Sequence, residues 1–357
     1  MLGLRLRIIL ARVRTRGLPG KVLRFSAREF LRCSTPRKLT NFALAKVQKW
    51  LRRDRLVSMP YRYFIDPLNV CNLRCPLCPT GRGELMRPQG KMNLEDFKRL
   101  VDQIAPYAYS VQLFNWGEPF LHPHIFDMIR YASQRRISVQ LSSNLNYFSE
   151  EMAEQAVASG LARLLVPVDG ATEETYQKYR RGGRLEIVIR NLRLLVEAKR
   201  RAGSSTPFIT LLTLVNRYNE HELGQLRQMA ADLGLDSFST CPIFVNTRDR
   251  EQVEEWLPED ERLSYYDYSA EQLENVWHCA DLWESCTINW DGGVAPCCWL
   301  QDPSHDFDNA FTKPLREIWN SEAYISSRRV FSFGGPRKGP EQTICTRCRG
   351  RPEYLIC

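Results

Sequence analysis

Six apolar, strand-like runs alternate with helical stretches through the middle of this 357-residue chain. The candidate strands span residues 61–68, 109–114, 137–141, 163–168, 208–214 and 237–243. The helical stretches between them span residues 93–104, 123–134, 149–159, 172–201 and 219–233. Gly160, Gly203 and Gly234 stand where helices should end, because glycine readily adopts the left-handed conformation that stops a helix. This alternation predicts an α/β fold with a parallel sheet and helices outside it.

Six such units are fewer than the eight of a closed barrel, so we predict a partial (β/α)6, TIM-like barrel. Functional residues should then lie at the carboxyl ends of the strands. After about residue 271 the alternation stops and the chain becomes rich in Cys and Trp. We therefore predict a barrel with its linker at 59–270 and a small Cys-rich module at 271–357.

The basic charge of the chain is concentrated at its N-terminus. Residues 1–56 contain sixteen Lys or Arg and only two acids, a net charge of +14, whereas the whole chain carries +9. The rest of the chain is therefore slightly acidic, so we expect no nucleic-acid partner. We predict a separate basic helical extension at 1–58.

One helix of this extension should begin at Pro36, with Thr35 as its N-cap. Its apolar side chains fall on one face at helical spacing: Leu39, Phe42, Ala43, Val47, Trp50 and Leu51. We expect this face to pack on the body, because amphipathic helices usually turn their apolar face to a core. The alternative is peripheral contact of residues 1–56 with an anionic membrane surface or an acidic partner.

The chain has the features of a cytoplasmic protein. No apolar run approaches the length of a membrane span, and Arg5 and Arg7 interrupt the first apolar run, which argues against a cleaved signal peptide. Twelve Cys, several at metal-binding spacings, indicate a reducing compartment and metal sites rather than disulfides. We therefore predict a cytoplasmic location, with membrane-peripheral contact as the alternative above.

Three cysteines, Cys71, Cys75 and Cys78, follow the first strand at the spacing C-x3-C-x2-C. Three thiolates on one short loop can hold three corners of a cubic 4Fe–4S cluster and leave one iron without a protein ligand. A metal site needs such an open position to bind and activate a small molecule. A structural zinc site would require four ligands, usually from two C-x2-C pairs.

This loop resembles the cluster loop of the radical S-adenosylmethionine (SAM) enzymes. In that family, the open iron chelates the amino and carboxylate groups of SAM. An electron then cleaves SAM to methionine and a 5′-deoxyadenosyl radical, which abstracts hydrogen from the substrate. The resemblance covers residues 61–357 and implies SAM as a partner and an electron donor such as flavodoxin or ferredoxin.

Three further motifs resemble the SAM-binding segments of the family. Asn115-Trp-Gly-Glu-Pro119 resembles the G-G-E-P motif, which implies that Gly117 and Glu118 bind the SAM amino group. The simpler alternative is that Glu118 caps the following loop. Leu141-Ser-Ser-Asn144 resembles the ribose-binding S-x-N segment, which implies roles for Ser142 and Asn144; an ordinary polar turn is the alternative.

The segments Val166-Pro-Val-Asp-Gly170 and Thr175-Tyr-Gln-Lys-Tyr-Arg180 are similar to the family's S-x-D-G…E-T-Y…R-G-G pattern. The resemblance implies that Arg180 meets the SAM carboxylate, a pairing that suits the bidentate guanidinium. Pro167 departs from the pattern, which has Ser at that position.

Seven cysteines lie in the C-terminal module: Cys279, Cys286, Cys297, Cys298, Cys345, Cys348 and Cys357. The module resembles the SPASM and twitch modules of radical SAM enzymes, through its I-x-x-D-G-x-V-x-P-C-C and L-x-E-I-W-N segments. Two auxiliary clusters would need about eight Cys ligands, so we predict one auxiliary 4Fe–4S cluster and two clusters in all.

The resemblance implies Cys279, Cys297, Cys345 and Cys348 as the auxiliary ligands. Cys286 could replace Cys279, and Cys298 could replace Cys297. A zinc site is a further alternative, since four cysteines that include a C-x2-C pair also suit zinc.

These observations predict a radical SAM oxidoreductase in which the auxiliary cluster relays the substrate electron. The substrate, whether a small molecule, a lipid-linked molecule or a peptide, and the general base cannot be read from the sequence. The alternatives are a radical SAM maturase that modifies a peptide or protein, and a non-catalytic iron–sulfur or zinc protein. Cleavage of SAM would separate the enzymes from the last class.

Overall fold

The computed structural model describes residues 19–246, 249–266, 268, 279–331 and 343–348. Six parallel strands lie side by side in the order of the chain. They are β1 Arg62–Ile65, β2 Ser110–Gln112, β3 Ser138–Ser142, β4 Arg163–Pro167, β5 Phe208–Val215 and β6 Ser237–Pro242. The sheet does not close, so the predicted partial barrel is confirmed.

Helices follow the strands and pack on the outer face of the sheet. The barrel helices are α3 Pro79–Arg82, α4 Leu94–Ile104, α5 Ile125–Gln134, α6 Glu150–Ala158, α7 Glu173–Tyr179, α8 Leu185–Arg201 and α9 Leu223–Asp232. Gly160, Gly203 and Gly234 all have positive φ just beyond helices α6, α8 and α9, as predicted. The stretch predicted as one helix over 172–201 is two helices, because the chain turns between α7 and α8 at Gly182, where φ is +86°.

The strands place alternate side chains on opposite faces of the sheet. Ile65, Val111 and Val139 point outward into the main core beneath the helices. Phe64 and Gln112 occupy one register row and point to the concave face, where a substrate of a barrel enzyme would lie. The concave face near β1 and β2 therefore carries polar groups, while the outer face is apolar.

The C-terminal region continues the barrel sheet. Its elements include α11 Asp281–Glu284, β7 Ser285–Ile288, β8 Gly293–Ala295, β9 Asp308–Asn309, α12 Leu315–Ile318 and α13 Glu322–Val330. Strand β7 pairs in parallel with β1, and β8 and β9 follow as antiparallel strands. The Cys-rich region is therefore attached directly at the edge of the first barrel strand.

Arg328 ties this region to the rest of the molecule. Its side chain is fully buried and donates hydrogen bonds to the carbonyl oxygens of Leu282 (2.8 Å), Asp54 (3.0 Å) and Trp319 (2.8 Å). The guanidinium also lies over the Trp319 ring at 4.4 Å. One residue thus joins the C-terminal helices to the end of the extension.

Two helices of the extension, α1 Pro19–Cys33 and α2 Pro36–Trp50, cross the amino-terminal ends of the strands. Phe25 stacks on Phe208 at the start of β5 (4.6 Å), and Glu29 accepts a hydrogen bond from Ser138 at the start of β3 (2.9 Å). Thr35 caps α2 through the Lys38 amide, as predicted. The extension therefore covers the end of the barrel opposite to the carboxyl ends of the strands.

The expectation that α2 turns its apolar face to the body is wrong. Of the six side chains on that face, Phe42 is partly buried, whereas Leu39, Val47 and Trp50 are 45%, 52% and 75% exposed. The buried side of α2 combines Ala45 with the polar residues Lys38 and Asn41, and the Asn41 amide exchanges two hydrogen bonds with the Met59 backbone (2.8 and 2.9 Å). Backbone groups of the body needed polar partners, and the polar face of the helix supplies them.

No helix within the described ranges is both long enough and apolar enough to span a lipid bilayer.

Candidate metal and cofactor site

The cysteine loop connects β1 to helix α3 at the carboxyl end of the sheet. The Arg74 amide donates to the Arg181 carbonyl (2.8 Å), which fastens the loop to the turn between α7 and α8. The loop also folds tightly on itself, since a Cβ on Gly81 would lie 2.5 Å from the Cys75 nitrogen. Only glycine fits at position 81 without moving the loop backbone.

The three thiols of this loop lie in one partly enclosed environment. Cys75 is buried, and Cys71 and Cys78 are half-buried. Burial raises the pKa of Cys71 to about 12, with further increases from the charges of Glu118, Cys75 and Cys78. The structure therefore brings the three predicted ligands together.

The chemistry of these thiols suits an iron–sulfur cluster. Such clusters take Cys thiolates as ligands, and a cubic cluster binds each thiolate at a different iron. The donor set fits a 4Fe–4S cluster with three protein ligands.

Glu118 is buried beside this loop and uses both oxygens on backbone groups. Oε1 accepts the Phe120 amide (3.1 Å) and Oε2 accepts the Asn144 amide (2.8 Å). Burial raises the pKa of Glu118 to about 7, against the lowering effect of these bonds. Glu118 therefore does cap the following loop, which was the alternative to SAM binding. The cap does not exclude SAM binding, because each carboxylate oxygen keeps a second lone pair for another donor.

Asn144 links the end of β3 to the cysteine loop. Its Nδ2 donates to Asn72 Oδ1 (2.8 Å) and lies 3.9 Å from the Cys71 sulfur. Gly117 lets the segment after β2 pack against the chain just before the cysteine loop, because a Cβ at this position would lie 2.3 Å from the Leu68 carbonyl oxygen. Ser142 is the last residue of β3 and is half-buried at the same edge.

Arg180 reaches the cysteine loop from the end of α7. Its Nη1 lies 3.9 Å from the Cys75 sulfur, and its Nε donates to Asp169 Oδ2 at 2.5 Å. Asp169 is itself fixed by the Leu214 amide, which donates to Oδ1 at 2.7 Å. Burial raises the pKa of Asp169, and the Arg180 charge opposes that rise. The sequence motif contained Asp169, but its role in orienting Arg180 is visible only in the structure.

An apolar layer covers the cysteine loop, and the sequence did not indicate it. Helix α10 Arg250–Trp256 lies within residues 244–270, for which the sequence predicts a linker or a substrate-side insertion. Trp256 and Tyr266 are buried in one cluster with Leu73, Cys75 and Tyr179. This segment excludes water from one side of Cys75; residues 247–248, 267 and 269–270 lie outside the described part.

Asp66 is a second residue that the sequence motifs did not single out. It follows β1 on the concave side, is fully buried, and accepts the Trp116 amide through Oδ1 (3.2 Å). Its Oδ2 has no hydrogen-bond partner among the described residues, and neither do the side-chain oxygens of Gln112, Thr287 and Asn289. Four buried oxygens at or just after β1, β2 and β7 thus lack partners, as do the Asn115 Nδ2 and Trp116 Nε1 donors that follow β2.

The four predicted auxiliary ligands also come together. Burial raises the pKa of Cys279, with smaller contributions from nearby charges that include Cys345 and Cys348. Burial likewise raises the pKa of Cys297, with contributions from its neighbours Cys298 and Cys279. Cys279 therefore lies near Cys297 and near the turn that carries Cys345 and Cys348.

The alternative ligand Cys286 points elsewhere. It lies on β7 in the main core, where its sulfur accepts a hydrogen bond from the Tyr324 hydroxyl at 3.7 Å. Cys298 is adjacent to Cys297 and half-buried, so it remains the alternative to Cys297 as a ligand. Cys357 lies outside the described residues.

Two family models match this chain, and together they span well over half of it. The model of the radical SAM superfamily matches residues 65–230, and the SPASM iron–sulfur cluster-binding domain matches residues 279–349. The chain belongs to the radical SAM superfamily. It is therefore an enzyme whose radical SAM domain binds a 4Fe–4S cluster and SAM and whose SPASM domain binds auxiliary iron–sulfur clusters, as predicted.

Several relatives are enzymes of the same build. The AdoMet-dependent heme synthase of Methanosarcina barkeri is 27% identical over 320 residues, which cover 79% of this chain and 88% of the relative. The mycofactocin maturase MftC of Mycobacterium tuberculosis is 23% identical over 250 residues, covering 66% of this chain and 61% of the maturase. These enzymes exclude the non-catalytic alternative.

Solved structures share the fold. Streptococcus suis SuiB bound to SAM superposes with a TM-score of 0.61 at 16% identity, covering 81% of this chain and 71% of SuiB. Native anSMEcpe with bound AdoMet gives a TM-score of 0.52 at 15% identity, and the match covers 74% of this chain and 82% of anSMEcpe.

Proposed function

We propose that this radical SAM enzyme is an oxidoreductase that removes hydrogen from its substrate. One observation carries the assignment of the SAM site: the side chains of Asn144, just after β3, and Arg180, at the end of α7, both reach the cysteine loop, each 3.9 Å from a thiol. A bound cluster and SAM would supply the 5′-deoxyadenosyl radical at this edge of the sheet.

The chain's own residues would bind and orient SAM. Glu118 accepts the SAM ammonium with the lone pairs that its backbone partners leave, beside the close approach at Gly117. Arg180 pairs with the SAM carboxylate, and Asp169 fixes the guanidinium in the required direction. Ser142 and Asn144 meet the ribose hydroxyls.

The acceptors at the concave face define the substrate side of the site. Asp66 would take the proton that the substrate loses, because burial raises its pKa to about 8, close to the working pH of an acid–base group. Gln112, Thr287 and Asn289 would accept hydrogen bonds from hydroxyl or amino groups of the substrate. A polar ligand that offers such donors to these oxygens, and acceptors to Asn115 Nδ2 and Trp116 Nε1, would satisfy the buried groups that lack partners among the described residues.

Cys279, Cys297, Cys345 and Cys348 would hold one auxiliary 4Fe–4S cluster. A cluster with four protein ligands has no open position for a substrate, so its role is to accept the substrate electron after hydrogen abstraction and proton loss. This is the step that makes the reaction an oxidation.

Iron analysis and SAM cleavage test these assignments together. Anaerobically reconstituted protein should contain about eight iron per chain, and alanine at Cys71, Cys75 and Cys78 should leave about four. With dithionite and SAM, the wild type should release 5′-deoxyadenosine. Roughly twelve iron would mean two auxiliary clusters, and zinc with about four iron would contradict the auxiliary cluster.

A second candidate is modification of a peptide. It is favoured by the similarity to MftC, a maturase, and to SuiB, which has been solved bound to its precursor peptide SuiA. Neighbouring genes that encode a short precursor peptide would support it. Transfer of deuterium from a labelled peptide, rather than from a labelled small molecule, into 5′-deoxyadenosine would decide between the two.

An acidic electron donor such as flavodoxin or ferredoxin would dock near the cysteine loop. A cleft of about 700 Å³ on the outer side of the loop is lined by Arg74, Arg82 and Arg181. Changing Arg74 and Arg181 to Glu should slow SAM cleavage driven by reduced flavodoxin at low salt and leave cleavage driven by dithionite unchanged. Equal loss with both reductants would contradict a docking role.

We also place the protein in the cytoplasm, with peripheral contact to an anionic membrane surface through the basic residues 1–56. The net charge of +14 supports this contact, because each basic residue near such a surface contributes about 1 kcal/mol before salt screening.

A further inference from the structure

The two helices of the extension expose apolar side chains on the same side of the molecule. On α1, Leu23 and Leu31 are 72% and 73% exposed, and Ala27 lies between them at helical spacing. On α2, Val47 and Trp50 lie on the side opposite to the buried Asn41. Scattered apolar side chains are normal on a surface, but two exposed stripes on consecutive helices together form an apolar surface that calls for a partner.

Both stripes point away from the sheet. The opposite side of α1 contacts Phe208 and Ser138, which begin strands β5 and β3. The opposite side of α2 contacts the Met59 backbone ahead of β1 and the Arg136 carbonyl ahead of β3, the latter through Lys38 at 2.6 Å. The stripes therefore form the outer surface of the amino-terminal end of the barrel, which we call the basal face (Leu23, Ala27, Leu31, Leu39, Ala43, Val47 and Trp50).

The charges around the basal face are almost all positive. Exposed basic side chains on these helices and the turn after them are Lys21, Arg24, Arg28, Arg37, Arg53 and Arg55; Arg32 and Lys46 are exposed too, but they pair with Glu29 and Glu284. The acids of the same segment are engaged inward: Glu29 is buried against Arg32 and Ser138, and Asp54 pairs with Arg329. An apolar stripe flanked by Lys and Arg is the pattern of helices that lie in the interface of an anionic membrane.

We propose that the basal face docks on an anionic phospholipid surface and holds the mouth of the barrel away from it. This rests on the proposed peripheral contact of residues 1–56 and adds the docking face and the orientation. The cysteine loop, Glu118 and Asn144 all follow the carboxyl ends of strands, at the edge opposite to the basal face. The strands are three to eight residues long, so at roughly 3.3 Å per residue the two ends are about 10–25 Å apart.

The orientation has a consequence for the substrate. With the basal face on the lipid, SAM, the electron donor and the substrate all reach the site from the aqueous side. A lipid-linked substrate held in the same bilayer would then face the wrong end of the barrel. The structure thus favours a substrate in solution or presented by a soluble carrier.

The docking face is tested with full-length protein and vesicles of phosphatidylcholine with or without phosphatidylserine. Wild type should co-sediment with the phosphatidylserine vesicles at low salt and be released as salt rises. Val47→Glu combined with Trp50→Glu should weaken binding at least tenfold. Ala231→Glu, an exposed alanine on helix α9 far from this face, is the matched control and should bind as wild type.

The outcomes separate the two proposals. Absence of wild-type binding would refute the membrane contact itself. Undiminished binding by the double variant would refute the basal face as the docking surface. A wild-type dimer in solution that the double variant dissociates, without lipid binding, would assign the face to a second copy and refute the lipid as its partner.

Two measurements test the orientation on bound protein. Brominated lipids should quench tryptophan fluorescence, and Trp50→Phe should remove most of that quenching. The apparent KM for SAM should be the same on and off vesicles, because the barrel mouth stays in water. A several-fold change in KM on binding, or quenching that persists without Trp50, would overturn the orientation.

Discussion

Replacing Asp169 with Asn should weaken SAM binding while leaving the protein folded. Asn keeps the acceptor for the Leu214 amide but loses the charge that fixes Arg180 through the 2.5 Å contact. A hydrogen bond between charged groups contributes about 1.5–3 kcal/mol. Since about 1.4 kcal/mol corresponds to a factor of ten, the dissociation constant for SAM should rise about ten- to a hundredfold.

The assay is anaerobic binding of SAM to reconstituted protein, with iron content and circular dichroism measured on the same samples. Glu222→Gln is the matched control, because Glu222 is buried on the neighbouring loop, where its carboxylate accepts from the Ala171 amide (2.7 Å) and the Thr175 hydroxyl (2.8 Å). It should cost about 1 kcal/mol of stability without changing SAM affinity. An Asp169→Asn protein with full iron and unchanged SAM affinity would refute the role of Arg180.

Three further changes test the packing around the site. Arg328→Met should lower the free energy of unfolding by about 3–5 kcal/mol in urea titrations, since three buried carbonyl oxygens lose their donor, and a loss below about 1 kcal/mol would contradict that role. Burial raises the pKa of Asp66 from about 4 to about 8. The stability that its neutral form provides is therefore complete below about pH 4 and is lost as pH rises through about 8. Asp66→Asn should flatten this decline, by on the order of 5 kcal/mol at pH 9, in urea titrations at several pH values. Gly81→Ala should lower iron from about eight to about four per chain by displacing Cys75. Gly224→Ala should keep full iron, because a Cβ there would meet nothing within 4 Å beyond the adjacent residues and the backbone of its own helix.

The barrel was predictable because its signals are local. Each strand is a short apolar run, and Gly160, Gly203 and Gly234 mark helix ends through their own backbone preference. The spacing of Cys71, Cys75 and Cys78 is likewise a property of one short loop. These features need no knowledge of distant contacts, which is why sequence and structure agree on them.

The remaining features depend on contacts that the sequence does not encode locally. Periodicity shows that α2 has two faces, but the choice of the polar face for burial depends on the backbone of Met59 and Arg136, which that face satisfies. The pairing of β7 with β1 and the burial of Trp256 against Cys75 join segments far apart in the chain. Asp66 carries no motif, and its significance comes only from the fully buried oxygen that lacks a donor.

The central claim is that Cys71, Cys75 and Cys78 hold the cluster that cleaves SAM. The most direct measurement is the yield of 5′-deoxyadenosine and methionine from anaerobically reconstituted protein, SAM and dithionite, compared between Cys75→Ala and Cys33→Ala. Cys33 is an equally buried thiol at the opposite end of the barrel, packed between Ala45, Tyr61 and Tyr109. Our account predicts that wild type and Cys33→Ala each release 5′-deoxyadenosine and methionine in equal amounts and at the same yield. It predicts neither product from Cys75→Ala. Undiminished cleavage by the Cys75→Ala protein would contradict it.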